Sequence, residues 1–216
     1  MSNEFDLYEK YISKDSIAYD IGAHIGEISL QMMHKGAKVY AFEPSPNNFS
    51  NLKSNCENFG IKCFNIGFHE KSYSCTTRFK DCRTSYTDSS GQKIDTVQQI
   101  EYSHIEEFIK NNNIPLPDFI KLDIEGMESL VLKTFKFLFE HKRPVIYVEI
   151  HAAAKGNKIQ DYPDNPHWTW PENGGFDFNQ LKDFNYLIID DNKVLDKTED
   201  YNPKQESHKS YILVPM

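Results

Sequence analysis

A chain of 216 residues, 39% hydrophobic and 26% charged, has the composition of one folded domain with a sizeable core, not of a disordered segment. No apolar run approaches the roughly 20 residues that cross a bilayer, and the acidic, polar start from Met1 to Asp15 is unlike a signal peptide, so a cytoplasmic location is expected. The net charge of −8 argues against nucleic acid as a partner, because phosphate binding needs a basic footprint.

Short apolar runs alternate with helical patterns along the chain. Ile17 to Ile21 reads as a first strand, and Glu27 to Lys35 as a helix closed by Gly36. Ala37 to Glu43 is a second strand. Pro46 to Phe59 is a second helix, with Ser45 as N-cap and Pro46 at its first position. Ile61 to Ile66 is a third strand. The polar stretch from about residue 70 to 95 breaks the rhythm and reads as an inserted hairpin or long loop.

A strand (Thr96 to Tyr102), a helix (Ile105 to Asn111) and a strand (Phe119 to Ile124) follow, then a helix (Met127 to Phe139) and a strand (Val145 to Ile150). Residues 152–175 read as a loop rich in proline, with Trp168 and Trp170 in it. Phe178 to Phe184 looks helical. Tyr186 to Ile189 and Tyr211 to Val214 look like two last strands with no helix between them, hence an antiparallel pair. The pattern predicts one α/β domain over residues 1–216, with a mostly parallel sheet and helices on both faces. The four cysteines, Cys56, Cys63, Cys75 and Cys82, form no Cys-x-x-Cys pair and read as reduced thiols in or near the core.

The chemistry gathers at the predicted strand ends. Asp20-Ile21-Gly22-Ala23-His24-Ile25-Gly26 follows the first strand and opens the first helix. Its glycines let backbone approach a ligand, and the helix start offers free N–H groups. Glu43 ends the second strand at the distance from Gly22 expected of a ribose-binding acid. The order Asp-x-Gly-x-x-x-Gly differs from a dinucleotide fingerprint. An acid at that point would repel a pyrophosphate and attract a cationic sulfonium ligand, which favours S-adenosylmethionine over NAD. Two more acidic strand ends follow, in Ile120-Lys121-Leu122-Asp123-Ile124-Glu125-Gly126-Met127-Glu128 and in Val148-Glu149-Ile150-His151. With period 2, Asp123 and Glu125 point one way, as do Glu149 and His151, so titratable groups converge on one crevice. Glu128 has a plainer use, as an acid in a first helical turn.

These motifs, with Phe42-Glu43-Pro44 between them, resemble in order the motifs of the FkbM family of methyltransferases, from about Ile17 to His151. The resemblance implies a Rossmann-like, seven-stranded class I methyltransferase sheet with an antiparallel last strand. It implies O-methylation, often of sugar hydroxyls, with S-adenosylhomocysteine as the spent cofactor. Asp20, Gly22, His24, Gly26, Glu43, Pro44 and Asp123 would hold the cofactor, with Gly67 and Phe68 near its adenine. The partners implied are a sugar or glycan acceptor and associated glycosyltransferases. His24 stands where the family often has Asn, and the Trp168–Trp170 loop is not a shared motif.

Moving a methyl group to a hydroxyl requires alignment and removal of a proton. Asp123 and His151 are the candidate bases, with Glu149 and Glu125 beside them. Trp168, Trp170 and His151 are the candidate acceptor contacts. The reading needs no metal; the rival has Asp123, Glu149 and His151 holding a Mg²⁺ that acidifies the hydroxyl. The other readings are an NAD-linked sugar oxidoreductase and a catalytically inactive adenosine-cofactor-binding module.

Overall fold

The computed structural model describes residues 4–78, 97–125, 127–151, 181, 184–190, 193–195 and 208–216. In chain order the elements are β1 (Ile17–Ile21), α1 (Glu27–His34), β2 (Lys38–Phe42), α2 (Pro46–Cys56), β3 (Lys62–Phe64), β4 (Gly67–Phe68), β5 (Tyr73–Arg78), β6 (Val97–Ser103), α3 (Ile105–Asn112), β7 (Phe119–Leu122), α4 (Glu128–Lys133), α5 (Lys136–His141), β8 (Val145–His151), β9 (Tyr186–Asp190), β10 (Lys193–Leu195) and β11 (His208–Pro215). The main sheet has eight strands in the order β10-β9-β11-β8-β7-β1-β2-β3. The neighbours from β8 through β7, β1 and β2 to β3 pair in parallel, and β11 lies antiparallel between β8 and β9. This is the expected seven-stranded Rossmann-like sheet, with the three-residue β10 added at one edge as a hairpin partner of β9.

Alternation along the strands builds a core on each face. On β2, Tyr40 and Phe42 join the cluster that buries Ile105 and Ile109 of α3 and Val131 and Leu132 of α4. Val39 and Ala41 join the opposite cluster, which buries Met32 of α1 and Leu52 and Cys56 of α2. Tyr8 caps that second face, packed on Phe119 and Tyr147. Apolar residues on both sides of each strand are what a helix-covered parallel sheet requires.

Most predicted boundaries hold within a few residues. Ser45 caps α2 by accepting from the N–H of Asn48, and Gly36 ends α1 at φ 93°. The helix expected over 127–139 is instead two short helices. At the break the N–H groups of Thr134 and Phe135 bond three residues back, and the Thr134 hydroxyl donates to the Val131 carbonyl. That back-bond competes with the regular ladder. The inserted segment starts and ends as an antiparallel hairpin, β5 with β6, and β4 joins β6 in a separate three-stranded sheet. The hairpin's connecting residues, with Cys82, the 152–175 loop and most of the helix expected over 178–184, lie outside the described residues. Cys56 is buried, Cys63 and Cys75 are half-buried, and all three are free thiols. No helix among the described residues is long and apolar enough to cross a membrane.

Candidate active site

The turn after β1 lies across the C-terminal edge of the parallel strands. Gly22, His24 and Gly26 all have positive φ, at 84°, 52° and 94°. The N–H groups of Gly22 and Ala23 both donate to the Phe42 carbonyl at 3.0 Å, which hangs the turn between β1 and β2. The two glycines serve different contacts. A Cβ on Gly22 would overlap the carbonyl oxygen of Asp123, so the turn presses on the end of β7. A Cβ on Gly26 would overlap Cys56 Sγ and approach Leu52, so Gly26 lets α1 begin against α2. For Gly26 the visible demand is therefore helix packing.

Glu43 is buried beside this turn. Its Oε2 accepts the N–H of His24 at 2.9 Å, and its Oε1 accepts the N–H of Ser45 at 2.9 Å and Nδ2 of Asn48 at 3.4 Å. Asn65 fixes the backbone beneath it, donating to the carbonyls of Glu43 and Pro44 at 2.8 and 2.9 Å. Burial pushes the Glu43 carboxyl up to about 7, against the opposing pull of those N–H donors and of Lys121. The Ser45 hydroxyl donates to Gln98 Oε1 at 2.9 Å, which links this corner to β6 of the small sheet.

Asp20 sits lower than expected. It is fully buried, its Oδ2 accepts the Ser29 hydroxyl at 2.5 Å, and its Oδ1 lies 3.8 Å from Lys121 Nζ. Burial drives its carboxyl upward, and Lys121 is the strongest opposing influence. Asp20 therefore faces Lys121 and α1, and the more open acid is Asp123, whose side chain is 23% exposed. Lys121 Nζ also reaches Asp123 Oδ2 at 3.1 Å and the Gly22 carbonyl at 3.2 Å.

Lys121 is the member of the site that sequence reasoning left without a role. Its signal was present: a lysine between Ile120 and Leu122, in a strand covered on both faces, needs buried partners. Glu128 is a second surprise. It is 1% exposed and its Oε1 accepts the N–H of Ile124 at 3.1 Å, so it braces the turn after β7. Glu125 in that turn is exposed with φ 55°, and Gly126 lies outside the described residues.

The remaining candidates separate. Leu122 pairs with Val148, so Asp123 and Glu149 follow on neighbouring strands, and Glu149 is half-buried opposite Ser210. His151 closes β8 opposite His208, and its side chain is outside the described residues, as are Trp168 and Trp170. Phe68 gives its ring to the core against Phe42 and Phe108, and Gly67 makes room for the Tyr102 ring, which a Cβ would approach to 2.6 Å. Burial lowers the His24 imidazole from its usual range. Among the described residues no three His, Cys, Asp or Glu side chains gather as metal ligands.

The Gly-rich turn between β1 and α1, Glu43 at the end of β2 and Asp123 at the end of β7 all lie in the stretch that a known family model matches. The family model for the methyltransferase FkbM domain aligns with residues 20–190. The chain belongs to the FkbM methyltransferase family. The hexuronic acid methyltransferase AglP of Haloferax volcanii is 27% identical over 141 residues, 65% of this chain and 58% of AglP. The crystal structure of methyltransferase FkbM from Methylobacillus flagellatus KT superposes with a TM-score of 0.55 and 17% identity, over 93% of this chain and 44% of that one. The likeness to that FkbM structure is one of fold, and the chain spans about half the length of these relatives.

Proposed function

We propose that this FkbM-family chain is an S-adenosylmethionine-dependent O-methyltransferase whose acceptor is a sugar hydroxyl of a glycan or glycoconjugate. The observation that carries the reading is the Gly22 turn, held between Glu43 and Asp123 at the ends of β2 and β7. A ligand seated on that turn has a ribose-type acceptor on one side and a proton acceptor on the other. The name of AglP supports the sugar acceptor, and the net charge of −8 disfavours a polyanionic one.

The donor set fits the cofactor. A carboxylate offers about four acceptor positions. Among the described residues Glu43 takes up three hydrogen bonds, which leaves room for a ribose hydroxyl. Gly22, the His24 backbone and Glu43 would hold the nucleoside, with Pro44 on its adenine side; Gly67 and Phe68, packed on the Tyr102 ring and the core, would stand behind Pro44, and Asp20 lies beneath the turn without touching the nucleoside. The cofactor, when bound, supplies an electrophilic methyl group on a sulfonium. Asp123 receives the proton of the acceptor hydroxyl, and Glu149 and His151 on the next strand orient that hydroxyl or share the proton. A Mg²⁺ is the alternative means of acidifying the hydroxyl, and retention of activity after exhaustive chelation would rule it out. A cytoplasmic site of action and an association with glycosyltransferases belong to the same proposal, and cell fractionation and co-purification would test them.

Calorimetry should show binding of S-adenosylhomocysteine and none of NAD, and mass spectrometry of a glycan panel should show a product heavier by one methyl group. NAD binding in place of the nucleoside thioether would instead favour an oxidoreductase. Cofactor binding with no product from any glycan would favour an inactive binding module.

Binding should also release protons near neutrality. The free Glu43 carboxyl is partly protonated around pH 7, and ribose hydroxyls donate to its ionised form. Affinity should therefore rise with pH through about 7 and level off above it, with the proton release visible in buffers of different ionisation enthalpy. Affinity that is flat from about pH 6 to 8 would show that Glu43 is already ionised there, and unchanged affinity in Glu43→Ala would remove it from the ribose site.

The loop after β8 is proposed to carry the acceptor platform. Trp168 and Trp170 have flat apolar faces with an N–H at the rim, suited to a pyranose. Alternation along an extended chain would let only one of them face the sugar. Changing the platform tryptophan to Ala should raise the acceptor KM with little change in Tm. A large fall in Tm for both, with KM unchanged, would make them structural anchors.

A further inference from the structure

Lys121 stands near the middle of the main sheet with 4% of its surface exposed. In register its neighbours are Asp20 on β1 and Tyr147 on β8. Burying an ammonium there is costly, and replacing buried ion pairs by apolar side chains is often neutral or stabilising. A requirement for packing alone would be met as well by methionine or leucine. The contacts of the ammonium point to another use. Three of them come from the end of β1, the turn after it and the end of β7: Asp20 Oδ1 at 3.8 Å, the Gly22 carbonyl at 3.2 Å and Asp123 Oδ2 at 3.1 Å. Those three segments frame the crevice. Gly22 and Asp123 are also in backbone contact, and the Asp123 N–H donates to the Ile21 carbonyl at 3.1 Å.

We propose that Lys121 is a positioning residue: by holding Oδ2 of Asp123 against the underside of the Gly22 turn, it fixes the orientation of the proton-accepting carboxylate relative to the cofactor turn. Asp20 is the counter-charge that keeps this cation in place, and Ser29 in turn holds Asp20. The turn and the acid then move as one unit. The role given to Asp123 rests on the methyltransferase reading; the clamp on its side chain does not.

The test uses Lys121→Met combined with Asp20→Asn, which removes one charge of each sign and leaves no stranded buried acid. Three-bond coupling constants of the ligand-free protein report the χ1 distribution of Asp123. One rotamer is expected in the wild type and averaging in the double variant. In turnover, kcat should fall about tenfold or more, while acceptor KM and the Kd of S-adenosylhomocysteine stay within about threefold. A fall in Tm without this split would be the mark of a structural residue. Lys121→Gln combined with Asp20→Asn, which keeps a polar group in place and strands no buried acid, serves if the first double variant does not fold, with the same split expected. A folded variant with a single Asp123 rotamer and kcat within about twofold of wild type overturns the proposal. If the wild type methylates no acceptor, the functional reading fails by itself, and the rotamer measurement alone decides the role of Lys121.

Discussion

Asp123→Asn should lower methyl transfer by about 10²–10⁴-fold while the affinity for S-adenosylhomocysteine stays within a few-fold. The substitution keeps the size of the side chain and an oxygen for Lys121 Nζ, which lies 3.1 Å from Oδ2 in the wild type. The backbone bond from the Asp123 N–H to Ile21 is untouched, so the end of β7 stays in register. What is lost is the carboxylate's capacity to take a proton. Single-turnover measurements with mass-spectrometric detection separate this from a slower release of product. A rate within about threefold of wild type would pass the role of base to His151. A collapse of cofactor affinity with the chemical step intact would place Asp123 among the cofactor's contacts instead.

Gly22→Ala is the backbone counterpart, and its effect should be as large for a different reason. The residue has φ 84°, a conformation that alanine reaches only with strain, and the new Cβ would overlap the Asp123 carbonyl oxygen. The strain and the forced separation together should cost about 3 kcal/mol or more. In a domain of this size that lowers Tm by roughly 6–12 °C. Cofactor binding should fail as well, because the displaced turn carries the His24 N–H that Glu43 accepts. Differential scanning calorimetry and binding calorimetry on the same sample check both effects. Wild-type stability together with wild-type affinity would show that the turn and β7 do not press on each other.

The two predictions also show which parts of the molecule could be read in advance. Strand ends were readable to within two residues, because apolar runs give way to acids: Glu43 follows Phe42, and Asp123 follows Leu122, where the expected strand ran on to Ile124. The fold followed from alternation of such runs with helices capped by Ser45 and Gly36. The height of an acid in the sheet was not readable. Asp20 and Asp123 look alike as residues near strand ends, yet Asp20 pairs within β1, in register with Lys121, and is sealed under α1. The two glycines of the turn also looked equivalent, and only the position of Cys56 and Leu52 on α2 shows that Gly26 answers to packing. Lys121 was passed over because two of its partners, Asp20 and the Gly22 carbonyl, come from a segment distant in sequence, whereas motif spacing reports neighbours along the chain. The break between α4 and α5 turns on a single hydroxyl, that of Thr134, which a hydrophobic period does not register.

The pairing of β1 with β7 has a kinetic consequence. The N–H of Ile17 donates to the carboxylate of Asp118, 101 residues further along, and the whole β1–β7 seam joins segments about that far apart. Joining them closes a long loop, and contacts of that range slow folding because the entropy of closure precedes the reward. β1, α1, β2, α2 and β3 can assemble early as a local unit, with the Gly22 turn and Glu43 already in place. The Asp123 side of the crevice arrives only when that seam zips. If that seam closes after the folding transition state, a nucleoside seated across both sides would stabilise a junction that the transition state lacks. Such a ligand should therefore slow unfolding while leaving the refolding rate nearly unchanged.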